Sequence, residues 1–232
     1  MHTGMLLDKM ASALAAHWGA APEPSPDWPL PLQAGADPFL ASVALILGQG
    51  AEAATPAVLA ALKALTSQGL SSPSALLQFP ETGLFSLLGK CGKATAPLRR
   101  FCQLVGDTAA PSSGEPLGVL ASMATEDLAA SLSRVRGLGL ETVESLLLHV
   151  FSRAVFPAGP GVYRIALRHG LVPEEVAREE VGAVFADWFY ADIPRMQAMH
   201  HHMRLTAASF CKRASPACLH CPLEGMMPHV FL

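Results

Sequence analysis

Charged residues are scarce in this sequence of 232 residues, of which they make up 15%, and aromatic residues make up only 6%. Hydrophobic residues account for 51%, whereas disordered chains combine high charge with low hydrophobicity, so a globular protein is expected. No apolar run reaches the length that crosses a bilayer, because glycine, proline or polar residues interrupt each one. The sequence therefore predicts no association with a membrane.

The first residues lack the pattern of an export signal. Residues 1–16 carry Asp8 and Lys9 inside an amphipathic pattern, which differs from the uncharged apolar centre of a signal peptide. Without export, the five cysteines are expected to ligate a metal or cluster or to stay reduced, rather than to form a disulfide framework. We expect a cytoplasmic monomer.

Alternation of apolar and polar residues typical of β-strands is missing, whereas apolar residues recur at helical spacing. The fold class is therefore predicted to be all-α. Helices are predicted at residues 5–18, 39–47, 140–156 and 173–190, among others.

Acidic residues are absent from two stretches, although the net charge of the whole chain is −3. Residues 82–106 hold Lys90, Lys93, Arg99 and Arg100 without an acid, and residues 193–223 hold four further basic residues. The distribution of charge matters more than its sum for binding a polyanion. Two interpretations stay open: a basic surface for phosphate contacts, or scattered solvated side chains.

A glycine-containing turn separates two apolar helices near the middle of the chain. The first helix ends near Val135, Gly137-Leu138-Gly139 follows, and the second begins at Leu140. Glycine tolerates positive φ, and the first amides of a helix have no intrahelical partner, so such a turn suits an anionic oxygen. A Gly-x-Gly is a weak motif by itself, and an ordinary helical hairpin would explain it equally well.

The residues around this turn are more specific. The run Gly-Leu-Gly-Leu-Glu-Thr-Val at 137–143 resembles the Gly-Ile-Gly-Pro-Glu-Thr-Ala hairpin of one branch of the endonuclease III-like, helix-hairpin-helix DNA glycosylases. The match continues without a gap to Arg164-Ile165 and to Arg168-His169-Gly170-Leu171. It covers most of the chain from about residue 38 to about residue 228.

The resemblance implies a two-domain, all-helical protein with duplex DNA, damaged or abasic duplex included, in a groove between the domains. A six-helix domain ending in the hairpin would span residues 39–152. Residues 1–38 and 153–232 would form the second helical domain, which carries a cysteine-rich loop near its end. Chain order alone does not give this division.

The resemblance also assigns candidate DNA-binding residues. Gln49 matches a family glutamine that fills the gap left by a flipped base. The hairpin amides would hold a phosphate, and nearby arginines would supply positive charge. The candidates are Gln49, Arg99, Arg100, Arg136, Gly137, Leu138, Gly139 and Arg213.

Both catalytic positions implied by the resemblance are substituted. The hairpin lysine that forms a Schiff base in bifunctional members corresponds to Glu141, and the catalytic aspartate corresponds to Gly159. A glutamate cannot form an imine, and loss of a positioned carboxylate removes roughly 10²–10⁴-fold of rate. We therefore expect glycosylase and lyase chemistry to be lost or very weak, unless Glu141 or Glu144 acts as a relocated acid.

Three cysteines lie close together near the end of the chain. Cys211, Cys218 and Cys221 have the spacing C-x6-C-x2-C, which the family extends by x5-C to bind a [4Fe–4S] cluster. Met227 occupies the fourth position, and a thioether is a poor substitute for thiolate. A [4Fe–4S] cluster with another fourth ligand, a [3Fe–4S] cluster, zinc with a histidine, and a metal-free loop all remain open. Cys91 and Cys102 are expected to be buried apolar residues.

Three functions follow from these observations. The first is a DNA-repair protein of the endonuclease III-like type that binds duplex DNA without strong base excision. The second is an active monofunctional glycosylase that uses a relocated acid, and the third is an iron–sulfur redox or scaffold protein without a DNA role.

Overall fold

A computed structural model of the chain describes residues 3–19, 37–49, 56–108 and 117–226. Every regular element in these ranges is helical, which confirms the all-α fold class. Within the same ranges, no helix combines the length and the apolar character that crossing a bilayer requires. The α-helices are α1 Thr3–Trp18, α2 Pro38–Leu47, α3 Pro56–Ser67, α4 Pro73–Gln78, α5 Glu81–Leu88, α6 Thr95–Thr108, α7 Gly118–Ser122, α8 Thr125–Ser133, α9 Leu140–His149, α10 Pro160–Arg168, α11 Arg178–Trp188 and α12 Ile193–Ser209, with 3₁₀ turns at Gly89–Ala94 and Cys218–His220.

Several helices begin where the sequence supplies a polar cap followed by proline. The Asp37 carboxylate accepts hydrogen bonds from the amides of Phe39 at 2.7 Å and Leu40 at 3.1 Å at the start of α2. Ser72 caps α4 and Asp192 caps α12 in the same manner. Each cap satisfies an amide that has no intrahelical acceptor, and proline at the first turn loses no hydrogen bond there.

The chain divides into two compact units. One comprises Pro24–Arg153, and the other combines Met1–Glu23 with Ala154–Leu232. We call them the hairpin unit and the terminal unit. The sequence-based division at residues 38/39 and 152/153 stays a prediction.

The core of the hairpin unit is built around α2, whose residues from Ala41 to Leu47 are all buried. Phe39 stacks on Phe101 of α6 with ring centroids 6.5 Å apart. Helix α2 also packs against α9, the second helix of the hairpin. The hairpin is therefore fixed to the most apolar helix of this unit.

Stacked aromatic rings form the core of the terminal unit. The ring of Phe156 lies 4.5 Å from that of Phe185 and 6.1 Å from that of Phe189. His200 of α12 meets the Phe156 ring edge-on at 5.7 Å. Helix α12 also packs against α1 and α10, so the two ends of the chain share one core.

The structure corrects two predicted helix boundaries. Helix α9 ends at His149 rather than at Phe156. Helix α11 begins at Arg178 rather than at Pro173, because residues 173–176 form a turn closed by the amide of Val176 donating to the carbonyl of Pro173.

A close backbone approach inside the terminal unit makes Gly182→Ala strongly destabilising. A Cβ at Gly182 would lie 2.5 Å from the carbonyl oxygen of Phe156, so the backbone of one element must move. Overpacking of this kind costs about 1–3 kcal/mol, which exceeds the gain of up to about 1 kcal/mol in helix propensity. Urea unfolding measures the change.

Gly106→Ala is the matched control for this prediction. It lies in α6, and its added Cβ would meet nothing within 4 Å. The same substitution should therefore stabilise the protein there, by up to about 1 kcal/mol. Equal effects at the two positions would contradict the predicted clash.

Candidate nucleic-acid interface and cysteine loop

The hairpin turn requires glycine at its first position but not at its third. Gly137 has φ +102°, and a Cβ there would lie 3.3 Å from Cβ and Cγ of Pro97. Gly139 has φ −77° and ψ 159°, and nothing lies within 4 Å of its added Cβ. Of the two glycines, only Gly137 uses the positive φ that glycine tolerates, since the conformation of Gly139 suits any residue.

Helix α9 begins at an exposed corner. Gly139 is its N-cap residue and has no side chain of its own to accept from the first amides of the helix. The carbonyl of Gly139 accepts from the amides of Thr142 and Val143 at 2.9 and 3.0 Å, which establishes the first turn. Gly139 is exposed and Leu140 retains 40% of its accessible surface. The positive end of the helix dipole is thus open to a ligand.

Arg100 braces the hairpin from the neighbouring helix α6. Its Nη1 donates to the carbonyl oxygen of Arg136 at 2.8 Å, directly before the glycine turn. Both arginines are exposed. The structure therefore brings these two candidates together with residues 137–139 at one corner of the hairpin unit.

Arg99 makes a different set of contacts. Its guanidinium donates to the carbonyl oxygens of Leu76 at 3.1 Å, Leu77 at 3.1 Å and Phe79 at 2.8 Å. These carbonyls belong to the last turn of α4 and the residue that ends it. Capping α4 gives Arg99 a structural role in the free protein, and its assignment as a DNA-binding residue stays a prediction.

The other candidates of the hairpin unit lie at helix ends. Gln49 is half-buried and follows α2, where its backbone N–H donates to the carbonyl of Ile46 at 3.4 Å. Glu141 and Glu144 are half-buried in the first two turns of α9. An acid at Glu141 suits the positive end of the helix dipole, so its position has a structural explanation as well as a catalytic one.

Gly159 belongs to the terminal unit, where it is the buried N-cap residue of α10. Its φ of −60° and ψ of 169° lie in the extended region, and no side chain caps the helix. An aspartate would be well suited to this conformation and to this cap. The position that the resemblance assigns to the catalytic aspartate therefore has an N-cap backbone and no side chain.

Two arginines of α10 hold the start of the cysteine loop, and the sequence analysis gave them no role. Nε of Arg164 donates to the carbonyl of Cys211 at 2.6 Å. Arg168 reaches Sγ of Cys211 at 3.3 Å and the carbonyls of Lys212 and Arg213 at 3.0 and 3.2 Å. The spacing of one helical turn predicts that the two arginines share a face of α10. It does not predict their partners, which lie more than 40 residues away in the sequence. Arg213 itself is exposed.

Cys211 and Cys218 lie close enough to Cys221 to act on its thiol. Burial is the main cause that raises the pKa of the Cys221 thiol, and the neighbouring Cys211 and Cys218 raise it further. Metal ligation requires thiolates, and a bound cation would offset this repulsion. Even so, no three His, Cys, Asp or Glu side chains of the described residues are grouped to hold a metal ion. Met227 lies outside the described residues, so the cluster stays a prediction.

The two remaining cysteines are buried, as expected. Cys102 has no accessible surface, and burial raises the pKa of its thiol to about 12. Burial also raises the pKa of the Cys91 thiol. Thiols in such surroundings are inert apolar groups.

Comparison with known sequences gives partial matches to much longer proteins. DEMETER-like protein 2 and Transcriptional activator DEMETER, both of Arabidopsis thaliana, are 26% identical to this chain in alignments of 113 residues. Each alignment covers 42% of this chain, and they cover 8% of the first relative and 6% of the second. DNA glycosylase/AP lyase ROS1 of the same plant is 27% identical over 108 residues, 40% of this chain and 8% of its own. The matched segments thus span less than a tenth of these relatives, and no protein-family model matches.

Solved structures match nearly the whole chain. A non-covalent endonuclease III–DNA complex gives a TM-score of 0.68 at 17% identity and covers 98% of this chain and 96% of its own. A trapped endonuclease III–DNA covalent intermediate gives 0.65 at 18% identity, covering 96% and 94%. A thermostable thymine-DNA glycosylase gives 0.66 at 13% identity, covering 95% and 94%. The chain therefore has the endonuclease III-like fold, and the resemblance to the endonuclease III-like DNA glycosylases that its hairpin indicates is confirmed.

Proposed function

We propose that this protein binds duplex DNA, damaged or abasic sites included, through its hairpin, and that it has lost the base-excision chemistry of its relatives. The observation that carries the proposal is the presence of glycine at position 139, where the backbone conformation does not require it. Among the residues that the structure describes, none requires glycine there, since its φ is −77° and the space around its Cβ position is open. A ligand that approaches the backbone closely does demand it.

A phosphate is the ligand that fits this corner. The start of α9 combines an exposed glycine, no side-chain cap and the positive end of a helix dipole. Exposed Arg100 and Arg136 meet beside it through one hydrogen bond, so the guanidinium groups add positive charge at the same place. Two of the similar solved structures are endonuclease III bound to DNA, which supports DNA as the source of that phosphate.

The loss of excision chemistry rests on Glu141 and Gly159. Their side chains supply neither an amine for a Schiff base nor a carboxylate at the aspartate position that the resemblance implies. What remains is a hairpin able to contact a phosphate and a backbone at Gly159 shaped for a capping residue. Recognition without turnover is the function that these remaining parts support.

Binding of the wild-type protein to an abasic-site duplex is expected to weaken steeply with salt. With three or four phosphate contacts, raising salt from about 50 to 200 mM should weaken binding about 40- to 150-fold. Gly139→Val should weaken binding at low salt at least about tenfold while the protein stays folded, because an added Cβ meets nothing within 4 Å among the described residues and a poorer N-cap costs only about 1 kcal/mol. Fluorescence anisotropy measures both effects.

Gly106→Ala serves as the control, because it lies within α6 with open space around its Cβ. It should bind like the wild-type protein. No binding of any duplex at about 50 mM salt would contradict the proposal. Equal binding by Gly139→Val and the wild type would contradict the assignment of the contact to the hairpin.

We further propose that Cys211, Cys218 and Cys221 bind an iron–sulfur cluster. Cys211 is the best-prepared ligand, since its sulfur accepts from Arg168 and its carbonyl accepts from Arg164. Such donors offset the negative charge that thiolates bring to a cluster. Anaerobically purified protein should contain about three or four iron atoms per chain with matching sulfide, and Cys218→Ala should lower that content. Iron-free, colourless protein from aerobic and anaerobic preparations alike would exclude the cluster.

A further inference from the structure

A cavity in the terminal unit lies between α1 and α12, among residues that the proposed DNA-binding function does not use. Its volume is about 150 Å³. An enclosed apolar cavity of that volume accommodates benzene in an engineered protein, whereas this one is half open to solvent. The apolar walls are Ala11, Ala15, Phe189, Ala198 and Met199.

The space exists because small residues face each other between two ties. At one end Arg195 of α12 lies 3.8 Å from Asp8 of α1, and at the other Nε1 of Trp18 donates to Oγ1 of Thr206 at 3.0 Å. Between these ties, the cavity wall on α1 consists of Ala11 and Ala15, and the wall on α12 includes Ala198. The helices are thus held together at both ends over a gap that their side chains leave unfilled.

His202 gives the cavity a buried polar group. Its side chain lines the cavity and keeps only 3% of its accessible surface. The ring hydrogen-bonds to the backbone of Gly19, while Nε2 is buried with no hydrogen-bond partner among the described residues. Burial lowers the pKa of His202. The neutral ring donates to a carbonyl through Nδ1, which leaves Nε2 as an acceptor that lacks a donor.

Arg195 adds a cation at the rim. Its guanidinium carbon lies 5.4 Å from the ring centroid of Trp188 and 5.6 Å from that of Phe189, which is also a cavity wall. An aromatic ligand in the cavity would lie beside the same guanidinium and the Met199 side chain, and both favour aromatic rings. An aliphatic ligand of equal size would gain neither contact.

We propose that this cavity is a binding site for a small aromatic molecule that carries one O–H or N–H donor. The ring fills the space between the alanines, and the donor reaches Nε2 of His202. Phenol is the simplest molecule with both features. Benzene has the ring without the donor, and cyclohexanol has the donor without the ring. The site is separate from the hairpin and does not depend on DNA binding.

The test follows His202 by NMR of ring-labelled histidine in the full-length protein while phenol, benzene or cyclohexanol is added. Phenol is expected to produce a saturable shift of the His202 ring signals, with benzene and cyclohexanol binding at least about tenfold more weakly. His202→Phe should abolish the preference for phenol over benzene, followed through the Met199 methyl signal. A phenol affinity equal to that of benzene would overturn the role of His202.

Filling the cavity should abolish binding. Ala198→Leu and Ala15→Leu place a larger side chain in it from opposite walls. Ala183→Leu makes the same change at an exposed position of α11 and should bind phenol like the wild type. Unchanged phenol binding by the folded Ala198→Leu and Ala15→Leu proteins, or no saturable shift in the wild type, would overturn the proposal.

Discussion

If the wild type has lost its chemistry as proposed, the double substitution Glu141→Lys, Gly159→Asp is expected to give the protein AP-lyase activity. Lysine at 141 supplies an amine that can attack an abasic sugar and form a Schiff base. Aspartate at 159 supplies the carboxylate, worth roughly 10²–10⁴-fold as a general base. Borohydride trapping on an abasic duplex should yield a covalent protein–DNA complex with the double variant and none with the wild type.

Both changes lie at the start of a helix, where capping ability and charge set their effect on stability. Gly159 is an uncapped N-cap residue with φ −60° and ψ 169°, so an aspartate there can accept hydrogen bonds from the first amides of α10. Those bonds compensate for burying its carboxylate. Lysine at 141 replaces a half-buried acid in the first turn of α9 and opposes the helix dipole, at a cost of about 0.3–1 kcal/mol.

Asparagine at 159 is the matched control, because it caps a helix as aspartate does but supplies no carboxylate. The Glu141→Lys, Gly159→Asn protein should form the trapped complex at least about 100-fold more slowly than the aspartate variant. A wild-type protein that excises bases and loses this activity with Glu141→Gln would show that Glu141 is a relocated acid. A folded double variant that never forms the complex would show that restoring the lysine and the aspartate is not sufficient for lyase activity.

The hairpin illustrates what the sequence could and could not predict. The turn and the start of α9 at Leu140 were predicted from glycines between two apolar helices, and the endonuclease III-like fold was predicted from the resemblance of residues 137–143 to the hairpin of that family. The end of α9 was not. The amide of Phe151 bonds to the carbonyl of Leu146 and that of Arg153 to Leu147, around Ser152 at φ +50°. A left-handed residue that ends a helix is usually glycine, and serine gives no such signal.

Arginine contacts were the least predictable part of the candidate site. Arg99 was assigned to DNA binding from its position after a glycine loop, yet its guanidinium meets three carbonyls that lie 20 to 23 residues earlier. Arg164 and Arg168 were given no role, yet they hold Cys211 from more than 40 residues away. A long cationic side chain can reach phosphate or carbonyl oxygens equally well, and only packing decides which.

Mild acid is expected to destabilise the protein, because α12 buries consecutive histidines. His201 and His202 are 6% and 3% exposed. Burial, followed by the neighbouring His202 and Arg204, lowers the pKa of His201 to about 3, and burial lowers that of His202 also. The unfolded chain takes up these protons near pH 6.5. Stability is therefore complete above about pH 6.5 and is lost as the pH falls toward about 3.

The loss of unfolding free energy is large enough to be distinguished from that caused by the titration of carboxylates. Between pH 6.5 and 5, His201 removes up to about 2 kcal/mol of unfolding free energy, in a range where most carboxylates are still ionised, and His202 adds to the loss in the same direction. Urea unfolding from pH 7.5 to 5 measures the slope. His201→Gln, which cannot be protonated, should reduce it by nearly one proton, whatever its effect on stability at pH 7.5. Equal slopes for His201→Gln and the wild type would mean that the His201 ring takes up its proton without unfolding, so that α12 opens to water locally.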